Sequence, residues 1–231
     1  MLVREFADTM KQNLLPLYDE REAAAMVRLY LSHRLQVPAY QLALMGNDEL
    51  SEAQREHFIQ DSEKLKNACP LQYVLGETEF CGCRITVNPS VLIPRPETEE
   101  LVALAEEQVS HGRLDAPLNV WDVGTGSGCI AVALAKRIPQ AQVFASDVSE
   151  AALQTARVNA ENNGVQVTFA CHDMLDADNL PFGDRLFDLI VSNPPYIPES
   201  DRAQMHRNVA DLASTWSCVP QVSEPQVLTC V

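Results

Sequence analysis

Three short stretches combine residue types that can do chemistry. Asn193-Pro194-Pro195-Tyr196 follows the apolar run Leu189-Ile190-Val191-Ser192. Two consecutive prolines fix φ and remove two N–H donors, so the turn is rigid and its carbonyls stay free to accept. The Asn193 amide can both accept and donate, and Tyr196 offers a flat ring. Together they make a slot for a planar group bearing N–H2. The amide oxygen and a proline carbonyl take its two hydrogens, and the ring packs on its face. Taken alone, the stretch is equally well read as a simple strand terminator.

The second stretch is Asp122-Val123-Gly124-Thr125-Gly126-Ser127-Gly128. Glycines at alternate positions permit a tight turn and let a ligand approach the backbone closely. In the dinucleotide fingerprint G-x-G-x-x-G the third glycine stands one place later, where this chain has Cys129. A plain strand-to-helix turn would also explain such a run. The third element is Asp147, which ends Gln142-Val143-Phe144-Ala145-Ser146-Asp147 and lies 21 residues beyond Gly126. At the end of the next strand a carboxylate can accept from both hydroxyls of a ribose, and it disfavours a 2′-phosphate. The same residue could also cap the helix that enters through Ser149.

These stretches need strand ends to hold them, and the chain from Leu118 supplies them. Leu118–Val123 reads as a strand, Gly128–Ile138 as a helix and Gln142–Ser146 as a strand. Glu150–Asn162 reads as a helix ended by Asn163-Gly164, and Val165–Ala170 and Leu186–Ser192 as further strands. Strand-helix-strand alternation at this spacing predicts an α/β fold with a parallel, doubly wound sheet. Ligands of such sheets sit at the carboxyl ends of the strands, where all three stretches fall.

Upstream, residues 1–68 read as a helical bundle broken at Pro16, Pro38 and Gly46-Asn47-Asp48, with no catalytic cluster. Met26, Leu29, Tyr30 and Leu35 fall at helical spacing, and Ser51 with Gln54 resembles a capping box. His33 and His57 stand alone and read as packing or surface residues. Residues 69–93 read as a β-hairpin linker, from their β-branched and aromatic residues and the punctuation at Gly76, Gly82 and Asn88-Pro89. Pro96 and the acidic residues after it predict a helix start running to about Ser110.

Composition narrows the function classes. The chain has 231 residues, 46% apolar, with 17 basic and 32 acidic residues and a formal charge of −15. Such a chain is repelled by a phosphate backbone unless it carries a basic patch, and its basic clusters are pairs such as Lys136-Arg137. The seven cysteines are odd in number and form no C-x-x-C pair. Cys81-x-Cys83 alternates on an expected strand with no second pair downstream, so no metal site is expected and the thiols read as reduced and mostly buried. The charged N-terminus is no signal peptide, and no apolar run is long enough to span a membrane. These features predict a soluble cytoplasmic protein.

The D-x-G-x-G-x-G turn, the acid ending the second strand and N-P-P-Y together resemble class I S-adenosylmethionine-dependent methyltransferases that modify planar nitrogens. Further stretches narrow the likeness. Pro70-Leu71-Gln72-Tyr73-Val74-Leu75-Gly76, Phe80-x-Gly82, and Val91-Leu92-Ile93-Pro94-Arg95-Pro96-Glu97-Thr98-Glu99-Glu100-Leu101-Val102 resemble the PrmC/HemK family, the peptide chain release factor N5-glutamine methyltransferases. The resemblance implies a Rossmann-like methyltransferase domain over 94–231, behind a helical substrate-recognition domain and a hairpin. It implies S-adenosylmethionine as cofactor. Gly124, Thr125, Gly126, Ser127 and Gly128 would wrap its methionine part, Asp147 would hold its ribose and Met174 would lie near its adenine, with Asn193 also at the cofactor. Asn193, Pro194, Pro195 and Tyr196 would hold the glutamine amide of a release factor's Gly-Gly-Gln motif, and the protein would act as a monomer without direct nucleic-acid contact.

The resemblance runs to about Asn208 and stops. Residues 209–231 carry no helical or strand period of useful length, and Pro220 and Pro225 break them further. The sheet is therefore expected to be incomplete at its C-terminal end, with the N-P-P-Y strand as an edge. Three other readings remain at this stage. An adenine-N6 nucleic-acid methyltransferase would also use N-P-P-Y, against the acidic charge. An inactive member that binds only cofactor or partner would suit the atypical tail. A dinucleotide oxidoreductase fits less well, because the third glycine comes early.

Overall fold

The computed structural model describes residues 1–110, 118–176, 179–193 and 227–229. The chain divides into two compact units, Met1–Gly76 and Glu77–Val231.

The first unit is built from helices α1 (Val3–Leu14), α2 (Glu20–Leu35), α3 (Ala39–Leu42), α4 (Glu52–Lys66) and α5 (Leu71–Leu75). The expected capping box opens α4: Ser51 Oγ accepts from Gln54 N, and Gln54 Oε1 accepts from Ser51 N at 3.0 Å. In α2 the buried face is Ala23, Val27, Tyr30 and Leu31, a spacing of four, three and one. Leu29 is 54% exposed, so the apolar stripe expected through that residue lies elsewhere on the helix. The core centres on Phe6, Tyr30 and Phe58, whose rings stack edge to face and tilted at 5.2–6.2 Å.

A buried acid lies beside those rings, which the sequence did not announce. Asp61 accepts from Tyr30 Oη at 3.1 Å, from Arg34 Nη2 at 2.7 Å and from Lys64 Nζ at 3.0 Å. His57, which read as a residue standing alone, is 3.3 Å from the same carboxylate. A buried charge is tolerated only with this density of donors. Burial first, then the Asp61 charge, drives the Tyr30 hydroxyl far above its ordinary pKa.

The stretch expected as strand from Leu71 is instead the one-turn helix α5. Pro70 sits at its N-cap and Gly76 ends it in the left-handed region at φ 84°. Leu71 and Val74, three apart, both turn into the helical core. β-Branched content gave way here to the Pro and Gly that bracket the turn.

The hairpin proper opens the second unit as β1 (Glu77–Phe80) and β2 (Cys83–Thr86), paired antiparallel. Cys81 and Gly82 join them with φ of 51° and 72°, the positive pair of a type I′ turn. Cys81 is thus a turn residue, not a strand residue alternating with Cys83. A short 3-10 turn, Pro96–Thr98, leads into α6 (Glu99–Ser110) as the prolines predicted. Then come β3 (Leu118–Val123), α7 (Cys129–Arg137), β4 (Ala141–Asp147), α8 (Glu150–Asn162), β5 (Val167–Cys171) and β6 (Leu189–Ser192).

The sheet is parallel in the order β5-β4-β3-β6-β7, where β7 is Val227–Thr229. β6 is therefore not the edge that the sequence predicted: Ile190, Val191 and Ser192 pair with Val227, Leu228 and Thr229. The row of N–H and C=O groups along β6 needs only backbone from a partner, so three residues suffice without any period in their side chains. From β3 the chain steps outward through β4 to β5 and then returns to the other side of β3. That reversal between β3 and β6 makes a switch point at their carboxyl ends. Side chains alternate on β3. Trp121 and Val123 join Phe144, Met174, Phe182, Phe187 and Ile190 in an apolar cluster on one face. Asp122 looks the other way, toward α7.

Candidate active site

Register brings the three sequence stretches together. Val123 pairs with Ser146 on one side and with Ser192 on the other. The residues that follow, Gly124, Asp147 and Asn193, therefore leave three adjacent strands at the same level. The ends are stitched to each other: Gly124 N and Thr125 N each donate to Ser146 O at 2.9 Å, and Ser192 Oγ donates to Val123 O at 2.8 Å.

The glycine turn runs through Gly124, Gly126 and Gly128 at φ of 73°, 54° and 78°. A Cβ on Gly124 or Gly126 would project into open space, with no atom of the described residues within 4 Å. Backbone lies bare there, which is what a closely bound ligand needs. Gly128 differs. A Cβ there would lie 2.8 Å from the Ala156 Cβ of α8, so this glycine lets two helices approach. The third glycine thus serves packing, one residue earlier than in the dinucleotide pattern.

Asp147 is buried, and both its oxygens are engaged. Oδ2 accepts from Gly126 N at 2.8 Å, and Oδ1 accepts from Ser149 N at 2.9 Å. The acid therefore braces the glycine turn and steadies the start of α8, where Ser149 Oγ accepts from Ala152 N. A carboxylate has about four acceptor sites, so capacity remains for a hydroxyl. Burial, the largest influence, pushes its pKa up. Met174 sits in the turn after β5, packed against the Trp121 cluster. Thr125 and Ser127 lie in the glycine turn, both buried. Asn193 follows β6, and its Nδ2 donates to Thr98 Oγ1 at 2.9 Å. Pro194, Pro195 and Tyr196 lie outside the described residues.

Asp122, which opens the glycine stretch, has a role that the sequence alone does not assign. Asp122, 0% exposed, uses Oδ2 to accept from Thr125 Oγ1 at 2.6 Å and from Ala131 N at 3.2 Å. It thereby caps α7, whose own N-cap, Gly128, has no side chain. Oδ1 has no hydrogen-bond partner among the described residues. A lone acid in the apolar strand Leu118–Val123 was the available signal, since an acid is almost never fully buried unless paired.

Burial raises the Asp122 pKa from its ordinary 3.8 to about 7, with the two hydrogen bonds opposing. Between those values the folded chain holds a proton that the unfolded chain has lost. Stability should therefore fall as pH rises through that window and stay low above it. Asp122→Asn keeps an oxygen for Thr125 and Ala131 and removes the titration. Its unfolding free energy relative to the parent, from urea curves between pH 4.5 and 8, is expected to improve steadily with pH. A difference that is flat across the window contradicts the assignment.

The residues present fit S-adenosylmethionine. The bare turn accepts a ligand against the backbone, and Asp147 suits a ribose diol. No cluster of three or more His, Cys, Asp or Glu among the described residues could hold a metal.

Comparison with known proteins agrees with this architecture. A model described as the PrmC N-terminal domain matches residues 10–76, and one described as a methyltransferase domain matches residues 120–214. A release factor glutamine methyltransferase from Flavobacterium psychrophilum is 40% identical over 91% of this chain and 73% of its own length. One from Bacteroides thetaiotaomicron is 40% identical over 87% of this chain and 70% of its own. The chain belongs to the release factor glutamine methyltransferase family. Its second unit is a class I, Rossmann-like methyltransferase domain, and its cofactor is S-adenosylmethionine. Among solved structures, a ribosomal protein L11 methylase from Lactobacillus delbrueckii subsp. bulgaricus is 37% identical, covering 43% of this chain and 47% of that one, at a TM-score of 0.35.

The two kinds of glycine separate in a stability experiment. Gly124→Ala meets only the backbone penalty of a left-handed φ, about 1–2 kcal/mol. Its methyl stands where the ligand should lie, so S-adenosylmethionine affinity is expected to fall about tenfold, equivalent to ~1.4 kcal/mol. Gly128→Ala adds the Ala156 clash and should lose about 3 kcal/mol or more. Urea midpoints with a cofactor titration decide the matter. Equal destabilisation of the two variants would remove the distinction.

Proposed function

We propose that this protein methylates the side-chain amide nitrogen, N5, of the glutamine in the Gly-Gly-Gln motif of peptide chain release factors. The observation that carries the reading is the register at the switch point, which sets Gly124, Asp147 and Asn193 side by side at three strand ends. The glycine turn, through Gly124, Thr125, Gly126 and Ser127, and Asp147 hold the cofactor, with Met174 at its adenine and Asn193 close by, while Gly128 lets α7 pack on α8. When bound, S-adenosylmethionine supplies a methyl group on a sulfonium, an electrophile that needs no further activation.

The residues of the chain then have one task, to present a poor nucleophile in the right direction. An amide nitrogen is poor because its lone pair is delocalised into the carbonyl. Asn193 Oδ1 and the Pro194 carbonyl accept the two N–H bonds of the glutamine amide, which draws density onto nitrogen and fixes its direction. Pro195 keeps that turn rigid, and Tyr196 packs on the face of the amide. Positioning of this kind supplies much of the rate, and the amide nitrogen gives up one of its two protons to solvent once it has taken the methyl group. The reading includes a monomer acting in the cytoplasm without nucleic acid. The acidic charge of −15 supports the last of these, and no helix among the described residues is long and apolar enough to cross a membrane.

The test is methyl transfer from labelled S-adenosylmethionine to a release factor and to its variant with the motif glutamine replaced by alanine. Label on the parent alone is expected. Label on both, or on adenine-containing DNA instead, overturns the reading.

A further inference from the structure

The segment Arg95-Pro96-Glu97-Thr98-Glu99 makes the family resemblance specific, yet the mechanism above gives it no task. Its threonine has one. Thr98 is 4% exposed, and its Oγ1 accepts the Asn193 Nδ2–H at 2.9 Å across 95 residues of sequence. This is the one hydrogen bond that the Asn193 side chain makes among the described residues.

We propose that Thr98 is the positioning residue that fixes the plane and place of the Asn193 amide against the substrate. The inference rests on the proposed function, because it concerns the same glutamine. A primary amide side chain has two ends of opposite character, one acceptor and one double donor. The substrate group is itself N–H2, so only the acceptor end of Asn193 makes a bond. The opposite orientation sets donors against donors. A hydroxyl can bond either end of that amide, so Thr98 fixes its plane and place, and with Oγ1 accepting from Nδ2, as here, Oδ1 is left for the substrate.

The anchor is itself held on a rigid element, as a positioning group must be. Thr98 closes the 3-10 turn that Pro96 opens, with its N–H donating to Arg95 O at 3.0 Å. The next residue, Glu99, accepts from Cys81 N at 2.8 Å through Oε1, which ties the start of α6 to the hairpin turn. Leu101, Val102 and Ala105 then bury the inner face of α6. Thr98 thus carries the rigidity of the hairpin and α6 to the end of β6. A buried hydroxyl with only a packing task would also want a partner, so the experiment must read orientation as well as stability.

Thr98→Val removes the hydroxyl at constant shape, Thr98→Ala removes it a second way in case valine unfolds the chain, and Thr98→Ser restores it. Full-length variants are compared for kcat and KM on release factor, for S-adenosylmethionine Kd, and for hydrogen exchange of the Asn193 side-chain N–H2 by NMR. The Val and Ala variants are expected to lose about 10- to 100-fold in kcat. Cofactor Kd should stay within about twofold while the Asn193 N–H2 exchanges faster, and Ser should bring kcat and exchange back toward the parent. A parent that methylates release factor beside a Val or Ala variant of unchanged kcat and unchanged exchange overturns the inference and leaves the proposed function standing. A parent that does not methylate release factor overturns the proposed function, and this inference with it.

Discussion

Asn193→Ala is expected to lower methyl transfer to release factor by about 10²–10³-fold while S-adenosylmethionine affinity stays within a few-fold. The asymmetry follows from where the residue sits. Asn193 leaves the end of β6, whereas the glycine turn is braced by Ser146 O, the Asp147 and Asp122 carboxylates and the Asn159 amide. Removing the Asn193 amide deletes an acceptor for the substrate nitrogen without touching those braces. Single-turnover rates with saturating cofactor, beside a calorimetric Kd, separate the two effects. Near-normal turnover would end the argument that this turn is an amide slot. Asn193→Ala should also erase the Thr98→Val effect, since a residue that acts only by orienting Asn193 has nothing to orient once the amide is gone. Additive losses in the double variant would mean that Thr98 acts by another route.

Period and punctuation made most of this architecture readable from the sequence. Leu118–Val123 and Glu150–Asn162 fall where the pattern set them, because an apolar run closed by glycines and a helix closed by Asn163-Gly164 are local signals. The glycine turn, Asp147 and Asn193 could be named for the same reason, each lying at the end of a readable strand. What stayed hidden depends on partners far off in sequence. Leu71–Leu75 was lost to α5 because five residues carry too little period to outweigh their composition. β7 was invisible because backbone pairing with β6 asks nothing of side chains. Asp61 looks ordinary in the chain, and for Asp122 and Thr98, which lie in recognisable motifs, only the fold shows the burial and the specific partners that give them a task.

The same blindness hid Asn159, and its replacement should give the largest loss of stability in the second unit. Asn159 lies on the buried face of α8 and acts as a piece of strand. Its Oδ1 accepts from Thr86 N at 2.7 Å, and its Nδ2 donates to Thr86 O at 2.9 Å and to Ser127 O at 2.8 Å. One side chain therefore satisfies both backbone groups at the end of β2 and one carbonyl in the glycine turn. Asn159→Leu would leave all three without partners in a site closed to water. Each such group costs about 1–3 kcal/mol, so a total of about 3–5 kcal/mol is expected after relaxation. Asn159→Asp should be at least as damaging, since it loses both donors and sets a carboxylate against two carbonyls. Because Ser127 belongs to the glycine turn proposed to hold the cofactor, the Leu variant should also bind S-adenosylmethionine more weakly wherever it remains folded. Urea unfolding followed by a cofactor titration reads both effects. A loss under 1 kcal/mol with unchanged affinity would show that the hairpin is held by other contacts instead, such as the hydrogen bond that Asn88 Nδ2 donates to Thr155 Oγ1 at 2.9 Å. A large stability loss with unchanged affinity would confine Asn159 to the hairpin. Both losses together would make the hairpin a structural support of the cofactor site, braced through α8.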